Sequence, residues 1–278
     1  MLRVGIVKEI SKEQKQEIIR LYVEEGKGQL YIAKKVLGTT TVNRIKKVLQ
    51  EANIPIRNFS QAATLSNKNR ESHKNKDFFS KESPNMAWLM GFIAADGYIR
   101  KDENEIGIGL ARKDKEILEK IKTLLELETP VKDYTTQTGY DCSKLTWTCE
   151  QHKKDLAKYH ITPAKTFTLI PPYNLNKKYW IDFIRGYFDG DGSINLIQQG
   201  ALRWQVCSAT KSIIEWIINF FYEEYQIPKV NIYTINNKNP LYYCQYSTNA
   251  TKKIYNILYT KDSLSLERKR KYFEEILK

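Results

Sequence analysis

Two aspartates stand at corresponding places in two similar stretches of this chain, where their carboxylates could share one metal-dependent reaction. Asp96 ends an apolar run that begins at Trp88, Asp191 ends a run that begins at Phe183, and a glycine follows each aspartate. If the two runs are helices packed side by side, both carboxylates reach the same end of the seam between them. Carboxylates so close repel unless cations lie between them, which predicts a divalent-metal site. The alternative, that each aspartate only caps an Asp-Gly turn, is less favoured when two copies match.

Each run also carries two small residues four positions apart. Gly91 is followed by Ala95, and Gly186 is followed by Gly190. Residues at this spacing share one helical face, and small side chains let two helix backbones approach closely. The spacing therefore predicts that these four residues form the interface between the two helices.

The segments that follow each run repeat in the same order, which predicts two related halves. Period-two alternation indicates strands and a period near 3.6 indicates helices. In the first copy strands are predicted at 98–100, 105–111, 131–134 and 144–149, with helices at 114–127 and 152–159. In the second copy strands are predicted at 193–197, 201–208, 230–234 and 242–247, with helices at 212–225, 252–259 and 266–277. The prediction is an α+β fold of two pseudo-symmetric αββαββα halves with antiparallel, saddle-like sheets, at residues 84–175 and 176–278.

The amino-terminal part has a different pattern, in which three short apolar-periodic segments are separated by glycines. Three such helices with a tight turn before the last are typical of a helix-turn-helix, so residues 1–56 are predicted to be a small all-α DNA-binding domain. The expected DNA contacts from its third helix are Thr40, Thr41, Asn43, Arg44 and Lys47. The alternative is a three-helix bundle that binds protein or nothing. Residues 57–83 lose the periodicity and are predicted to be a basic linker.

Composition narrows the class of protein. The 278 residues carry a formal net charge of +13, which predicts a polyanionic partner, nucleic acid first, although a solvated basic surface is the plainer alternative. The four cysteines lack Cys-x-x-Cys spacing and are predicted to be buried thiols, which argues against a disulfide framework or a zinc site. The three histidines are scattered, which argues against a histidine-based nuclease motif. The chain starts without a signal-peptide core and lacks a membrane-length apolar run, so we expect a soluble, cytoplasmic protein.

The two stretches resemble the signature of the LAGLIDADG homing endonucleases. Leu89 to Gly97 and Ile184 to Gly192 fill its nine places, with glycine third and Asp-Gly last in both copies. Ala94 departs from the signature, which has an earlier aspartate at that place, whereas the second copy has Asp189 there, interpreted as a structural or solvated acid. The resemblance covers roughly residues 84–278.

The resemblance implies particular roles at the seam. Asp96 and Asp191 would be catalytic metal ligands, with backbone carbonyls near Ala95 and Gly190 completing the coordination. A lysine often follows the last helix of each half in this family, near the scissile phosphate, and Lys165 and Lys269 fit that place, although each could be an ordinary surface charge. The implied cofactor is Mg²⁺, as two or more ions, in sites that Mn²⁺ or Ca²⁺ can also occupy.

Alternation along the strands predicts which residues face away from the helices. Trp204 and Val206 are expected to face inward, while the outward set is rich in polar side chains that can read base edges in a major groove. A wet polar face is also common without a special function. Because the sheets of the family lie on DNA in this way, we expect contacts with double-stranded DNA from Arg100, Lys144, Thr146, Ser193, Asn195, Arg203, Gln205, Tyr243 and Gln245.

The resemblance thus implies a monomer without an obligate protein partner that cuts both strands of a long DNA site and initiates mobility of the element that carries its gene. A bacterial or phage origin is expected first, and an organellar one is the alternative. Two other functions use the same fold. A transcription regulator without catalysis typically lacks one or both acids, which are present here, while an RNA-splicing maturase is not separated by the sequence.

Overall fold

The computed structural model describes residues 9–63, 65, 75–197, 200–236 and 238–277. The chain divides into two compact units, residues 1–73 and residues 74–278. Phe79, within the stretch predicted to be a linker, is buried in the core of the second unit and packs edge-on against His152 with ring centroids 5.0 Å apart. The last part of that stretch therefore packs as part of the second unit.

The first unit has a core of three helices, α1 (Lys12–Val23), α2 (Gln29–Leu37) and α3 (Asn43–Glu51). The hydroxyl of Ser11 accepts a hydrogen bond from the Gln14 amide at 3.2 Å and caps α1, and Gly38 ends α2 with a φ of 64°. The apolar faces meet in one buried cluster: Ile18, Leu21, Tyr22, Ile32, Ala33, Ile45, Val48 and Leu49. Residues 59–63 are also helical.

The second unit contains two repeats with the same order of elements. The first repeat comprises α4 (Pro84–Asp96), β1 (Gly97–Ile99), β2 (Glu105–Ala111), α5 (Lys115–Leu124), β3 (Lys132–Thr135), β4 (Asp141–Thr148) and α6 (Glu150–Lys158). The second comprises α7 (Trp180–Asp191), β5 (Gly192–Leu196), β6 (Leu202–Ser208), α8 (Lys211–Tyr225), β7 (Ile232–Ile235), β8 (Leu241–Tyr246), α9 (Thr248–Leu258) and α10 (Glu267–Leu277).

Each repeat builds one four-stranded antiparallel sheet, with strand orders β1-β2-β4-β3 and β5-β6-β8-β7. The predicted α+β class and the two sheets are confirmed. Alternation along β6 is also as predicted, because Trp204 and Val206 are buried while Arg203 and Gln205 are half-exposed. Trp204 stacks on Phe188 of α7 with ring centroids 4.7 Å apart, so the inner face of the sheet packs directly on the helix.

The four cysteines are free thiols, and the prediction that all are buried is right for two of them. Cys149 and Cys244 are buried, whereas Cys142 and Cys207 are half-exposed because they fall on the outward sides of β4 and β6.

The two repeats meet where α4 and α7 lie backbone against backbone. A Cβ atom at Gly91 would collide with the carbonyl oxygen of Phe183, and one at Gly186 would collide with the carbonyl oxygen of Trp88. A Cβ at Gly190 would collide with the side chain of Ala95. The structure thus places all four of the small residues on this seam.

Replacing Gly186 with alanine is expected to lower the free energy of unfolding by at least about 2 kcal/mol, because the added methyl group forces the two helix backbones apart. Alanine is the better helix former by about 1 kcal/mol, so a net loss reports the contact and not helix propensity. Urea unfolding of the parent and the variant measures the difference.

Gly109→Ala is the matched control, because the nearest atom to its Cβ would be the Tyr134 hydroxyl at 3.6 Å, an ordinary contact. Equal stabilities of the two variants would contradict the seam described above.

Candidate active site at the helix seam

The two aspartates lie at the same end of the seam, as the last residues of α4 and α7. A Cβ at Gly190 would lie 3.3 Å from Oδ2 of Asp96, so the Asp96 carboxylate reaches across to the helix that carries Asp191. Each helix passes directly into a strand through a glycine, and a Cβ at Gly97 would lie 2.8 Å from the Cα of Ile93. The close turn after each aspartate therefore requires glycine and fixes where the carboxylate emerges.

Two lysines are buried beside the aspartates, and backbone carbonyls hold their ammonium groups. Lys269 Nζ donates to the carbonyl oxygens of Phe188 at 2.9 Å, Gly190 at 2.9 Å and Gly192 at 2.6 Å. Lys165 Nζ donates to the carbonyl oxygen of Gly97. Lysine cations at the carboxyl ends of helices are favoured by the helix dipole. The structure thus gathers at one point the four residues expected to be catalytic.

The environment shifts the pKa of all four groups toward their neutral forms. Burial, and next the nearby Asp96 carboxylate, raises the pKa of Asp191 to about 6. Asp96 is open to solvent on one side, yet desolvation by the protein around it still raises its pKa. Burial lowers the pKa of Lys269 to about 8 and also lowers that of Lys165. Positive charge added next to the carboxylates would stabilise their ionised forms.

The donor atoms at this end of the seam fit a hard divalent cation. Among the described residues there is no cluster of three or more His, Cys, Asp or Glu side chains suited to a metal, so a site here would combine the two carboxylates with backbone carbonyls. Oxygen ligands of this kind suit Mg²⁺ and Ca²⁺. The Gly190 carbonyl already accepts a hydrogen bond from Lys269, which leaves it one further lone pair.

Asp189 is a structural acid and not a solvated one. Its Oδ2 accepts hydrogen bonds from Trp88 Nε1 at 2.8 Å and from the Leu266 amide at 3.0 Å, and its Oδ1 accepts one from the Tyr259 hydroxyl at 2.7 Å. Burial raises the pKa of this carboxyl group, and the three donors oppose that shift. The buried carboxylate therefore joins α4 of the first repeat to the segment just before α10.

Two charged residues that sequence reasoning missed also border the site. Arg268 Nε donates to Asp114 Oδ1 at 2.9 Å, and Arg268 Nη2 donates to Asp114 Oδ2 at 3.1 Å. Asp114 lies just before α5 and is almost completely buried, at 7% exposure. The sequence marks these two residues only weakly, by an arginine next to Lys269 and an aspartate at the start of a predicted helix.

The expected DNA-contacting residues of the second sheet form rows across its outward face. Ser193 pairs with Gln205, which in turn pairs with Gln245, so three polar side chains cross three strands in one row. Asn195 pairs with Arg203 in the next row.

Tyr243 lies on the other side of that first row and stacks on Tyr233, with ring centroids 5.3 Å apart. The polar side chains in these rows are exposed or half-exposed.

In the first sheet, Lys144 and Thr146 lie on the outward side of β4, and Lys144 Nζ is 4.8 Å from the centroid of the Tyr98 ring. Arg100 follows β1 and is exposed, and its Nε is 3.0 Å from Glu105 Oε1. A DNA contact by Arg100 would therefore compete with this ion pair.

In the first unit, helix α3 begins later than the sequence suggests. The Thr41 amide donates to the Thr39 hydroxyl at 3.2 Å, a local turn that competes with helix formation. Thr40 and Thr41 consequently precede α3, and their expected placement on the helix is wrong, although both are exposed. Asn43, Arg44 and Lys47 lie on α3, where Asn43 and Lys47 are exposed and Arg44 is half-buried.

Part of the first repeat is similar to a known protein family. Residues 83–147 match the model of the LAGLIDADG-like domain. An uncharacterized protein of Methanocaldococcus jannaschii is 25% identical over 165 residues, and the match spans 56% of this chain and 56% of that relative. The chain thus covers about half the length of the curated relative that it matches.

Three crystal structures are similar to part of this chain. Full-length DUF199/WhiA from Thermotoga maritima is 15% identical, with a TM-score of 0.44 over 73% of this chain and 63% of that one. The I-DmoI structure in complex with DNA and Ca is 14% identical, with a TM-score of 0.47 over 72% of this chain and 99% of that one. The LAGLIDADG homing endonuclease I-LtrWI bound to target DNA is 15% identical, with a TM-score of 0.44 over 73% and 89%.

The described part of the chain contains no helix that is long and apolar enough to cross a membrane.

Asp189→Ala is expected to lower the free energy of unfolding by about 3 kcal/mol or more, because it leaves three buried donors without an acceptor. Asp189→Asn is expected to cost less, since the amide oxygen still accepts two of these bonds and the amide nitrogen can donate to the Tyr259 hydroxyl. Chemical denaturation measures both variants. A loss in Asp189→Ala no larger than that of an exposed aspartate, such as Asp262→Ala, would contradict the network.

Proposed function

We propose that this chain, in which residues 83–147 form a LAGLIDADG-like domain, is a site-specific endonuclease that hydrolyses both strands of double-stranded DNA with divalent metal. The observation that carries the proposal is the meeting of Asp96, Asp191, Lys165 and Lys269 at one end of the seam between α4 and α7. Strands β1 and β5 both begin at this end, so the outward polar face of each sheet begins directly beside the two aspartates.

The charged groups at the seam fit the needs of phosphodiester hydrolysis. Divalent ions bound there would activate a water molecule and stabilise the leaving oxygen. Asp96 and Asp191 would hold these ions from both sides of the seam, with the backbone carbonyls of Ala95 and Gly190. The proposed ions are Mg²⁺, with Mn²⁺ or Ca²⁺ able to occupy the same sites.

The two lysines would offset the negative charge that develops on the scissile phosphate. Lys269 is fixed by three carbonyl oxygens, so little reorganisation is needed when the phosphate arrives. With a pKa of about 8, Lys269 is still mostly an ammonium group at neutral pH. Because this pKa is lower than that of an ordinary lysine, the ammonium group is also a better proton donor.

DNA recognition is assigned to the outward faces of the two sheets. The rows through Gln205 and through Arg203 present amide and guanidinium groups of the kind that read adenine and guanine edges. A net charge of +13 supports binding to the phosphate backbone. The three helices of the first unit would add contacts from α3, and one copy of the chain would suffice because it contains both repeats.

Asp96→Asn and Asp191→Asn are each expected to reduce cleavage at least about 100-fold, because each removes a charged metal ligand. The parent protein, with Mg²⁺, is first used to select a cleaved site from a random DNA library, and EDTA is expected to abolish the selection. DNA affinity measured in Ca²⁺ or without metal is expected to change far less than the cleavage rate.

Asp262→Asn, at an exposed aspartate, is the matched control and is expected to cut at the parent rate. If the parent and both seam variants bind DNA equally and none cuts with any divalent metal, the catalytic proposal fails and a regulator or maturase takes its place.

Gln205→Ala is expected to relax sequence preference at one or two adjacent base pairs by about tenfold, because a bidentate contact contributes about 1–3 kcal/mol of discrimination. Affinity for non-specific DNA should stay constant, since the side chain is uncharged. Binding to a library of single-base variants of the selected site measures both quantities. A uniform loss of affinity for all sequences would contradict a reading role.

A further inference from the structure

We propose that the ion pair between Arg268 and Asp114 positions Lys269, and that it makes one half of the cleavage site different from the other. This inference rests on the proposed endonuclease function and deepens it. It assigns the pair to the hydrolysis of one of the two DNA strands.

Arg268 and Lys269 are consecutive residues in the first turn of α10, and their side chains contact opposite repeats. The Arg268 guanidinium binds both carboxylate oxygens of Asp114 in the first repeat, at 2.9 and 3.1 Å. Two parallel hydrogen bonds fix orientation as well as distance. Lys269 contacts the carbonyl oxygens at the end of α7 in its own repeat. The contact with the first repeat therefore orients the turn that carries the lysine.

The same turn is held at a second point by the backbone. The Leu266 amide donates to Asp189 at 3.0 Å, which ties the start of α10 to α7. Leu266 is thus held by the second repeat and Arg268 by the first, and Lys269 is the residue directly after Arg268. Releasing Arg268 leaves the turn held only by its own repeat, through Leu266 and the contacts of Lys269, so the ammonium group can shift relative to the first repeat and to a phosphate bound across the seam. A displacement of about 1 Å can cost about 100-fold in rate.

The corresponding residues of the other repeat cannot form such a pair. Ala164 precedes Lys165 as Arg268 precedes Lys269, and Thr210 precedes α8 as Asp114 precedes α5. A methyl group and a hydroxyl group make no ion pair. Lys165 also lies in a short 3₁₀ turn, Lys165–Phe167, whereas Lys269 lies in a helix of 11 residues. The pair thus introduces a difference between the two halves of a pseudo-symmetric site.

A purely structural role for the pair predicts other behaviour. Asp114 is almost completely buried, so removal of the Arg268 guanidinium lowers stability, and that loss alone would slow the cleavage of both strands alike. A difference between the two strand rates therefore reports the placement of Lys269 and not the loss of stability.

The test compares Arg268→Gln with Arg270→Gln in the full chain. Arg270 is the matched control, because it lies on the same helix and pairs within that helix, with its Nε 3.1 Å from Glu274 Oε1. Supercoiled plasmid carrying the selected site is cut with Mg²⁺, and the rate for each strand is measured separately. Arg268→Gln is expected to slow one strand at least about tenfold, so that nicked plasmid accumulates, while Arg270→Gln cuts both strands at parent rates. Asp114→Asn is expected to slow the same strand.

A second readout needs neither DNA nor metal. The rate at which Lys269 is reductively methylated, followed by mass spectrometry of its peptide, is expected to rise several-fold in Arg268→Gln and to stay at the parent rate in Arg270→Gln. Such a change reports the placement of the lysine directly.

The outcomes separate the inference from the function on which it rests. Equal rates for both strands in Arg268→Gln, whether slowed or not, would overturn the assignment to one strand. A parent protein that cuts neither strand would overturn the proposed endonuclease function. In that case the methylation rate is the remaining test of whether the ion pair positions Lys269. Equal methylation rates of Lys269 in Arg268→Gln and Arg270→Gln would overturn that role.

Discussion

The close contact between the backbones of α4 and α7 is the constraint on which the rest of the second unit depends. Side chains usually keep helix axes about 8–10 Å apart, and Gly91 and Gly186 remove that spacer where the two helices touch. As a result, the carboxyl ends of the helices converge and the Asp96 carboxylate lies next to Gly190. Both sheets then begin from neighbouring points. A side chain at either glycine would move the carboxylates apart without touching them.

The convergence of two helix ends also explains how charged groups can be buried together there. The last carbonyl groups of a helix lack partners within it and carry the negative end of the helix dipole. Lys269 donates to the Gly190 carbonyl, and also to the Phe188 carbonyl, which accepts the Gly192 amide as well, so hydrogen bonds at the end of α7 offset its desolvation. The charge of Lys269, fixed by the backbone, then opposes the rise in the pKa of Asp191 that burial causes.

The features that the sequence predicts correctly are those that local pattern determines. The order of elements follows from periodicity, and the sheet faces follow from alternation, as Trp204 and Arg203 show. The partners of buried polar groups follow from contacts between distant segments. The Asp189 carboxylate meets the Leu266 amide 77 residues away, and Arg268 meets Asp114 across 154 residues. The late start of α3 escapes prediction for a different reason, since one threonine hydroxyl captures the Thr41 amide.

The two repeats differ at one matching place, where the second has Asp189 and the first has Ala94, and this difference constrains how such a chain can evolve. Two identical copies joined at this seam would carry the buried carboxylate twice, and each would need its own set of donors. Trp88 supplies one donor here, and its counterpart in the second repeat is Phe183, which has no indole N–H to donate. Covalent fusion of the repeats lets each side of the seam change on its own. A self-association of the second repeat alone would bury two carboxylates that each lack the donor from Trp88, which disfavours a return to a symmetric dimer.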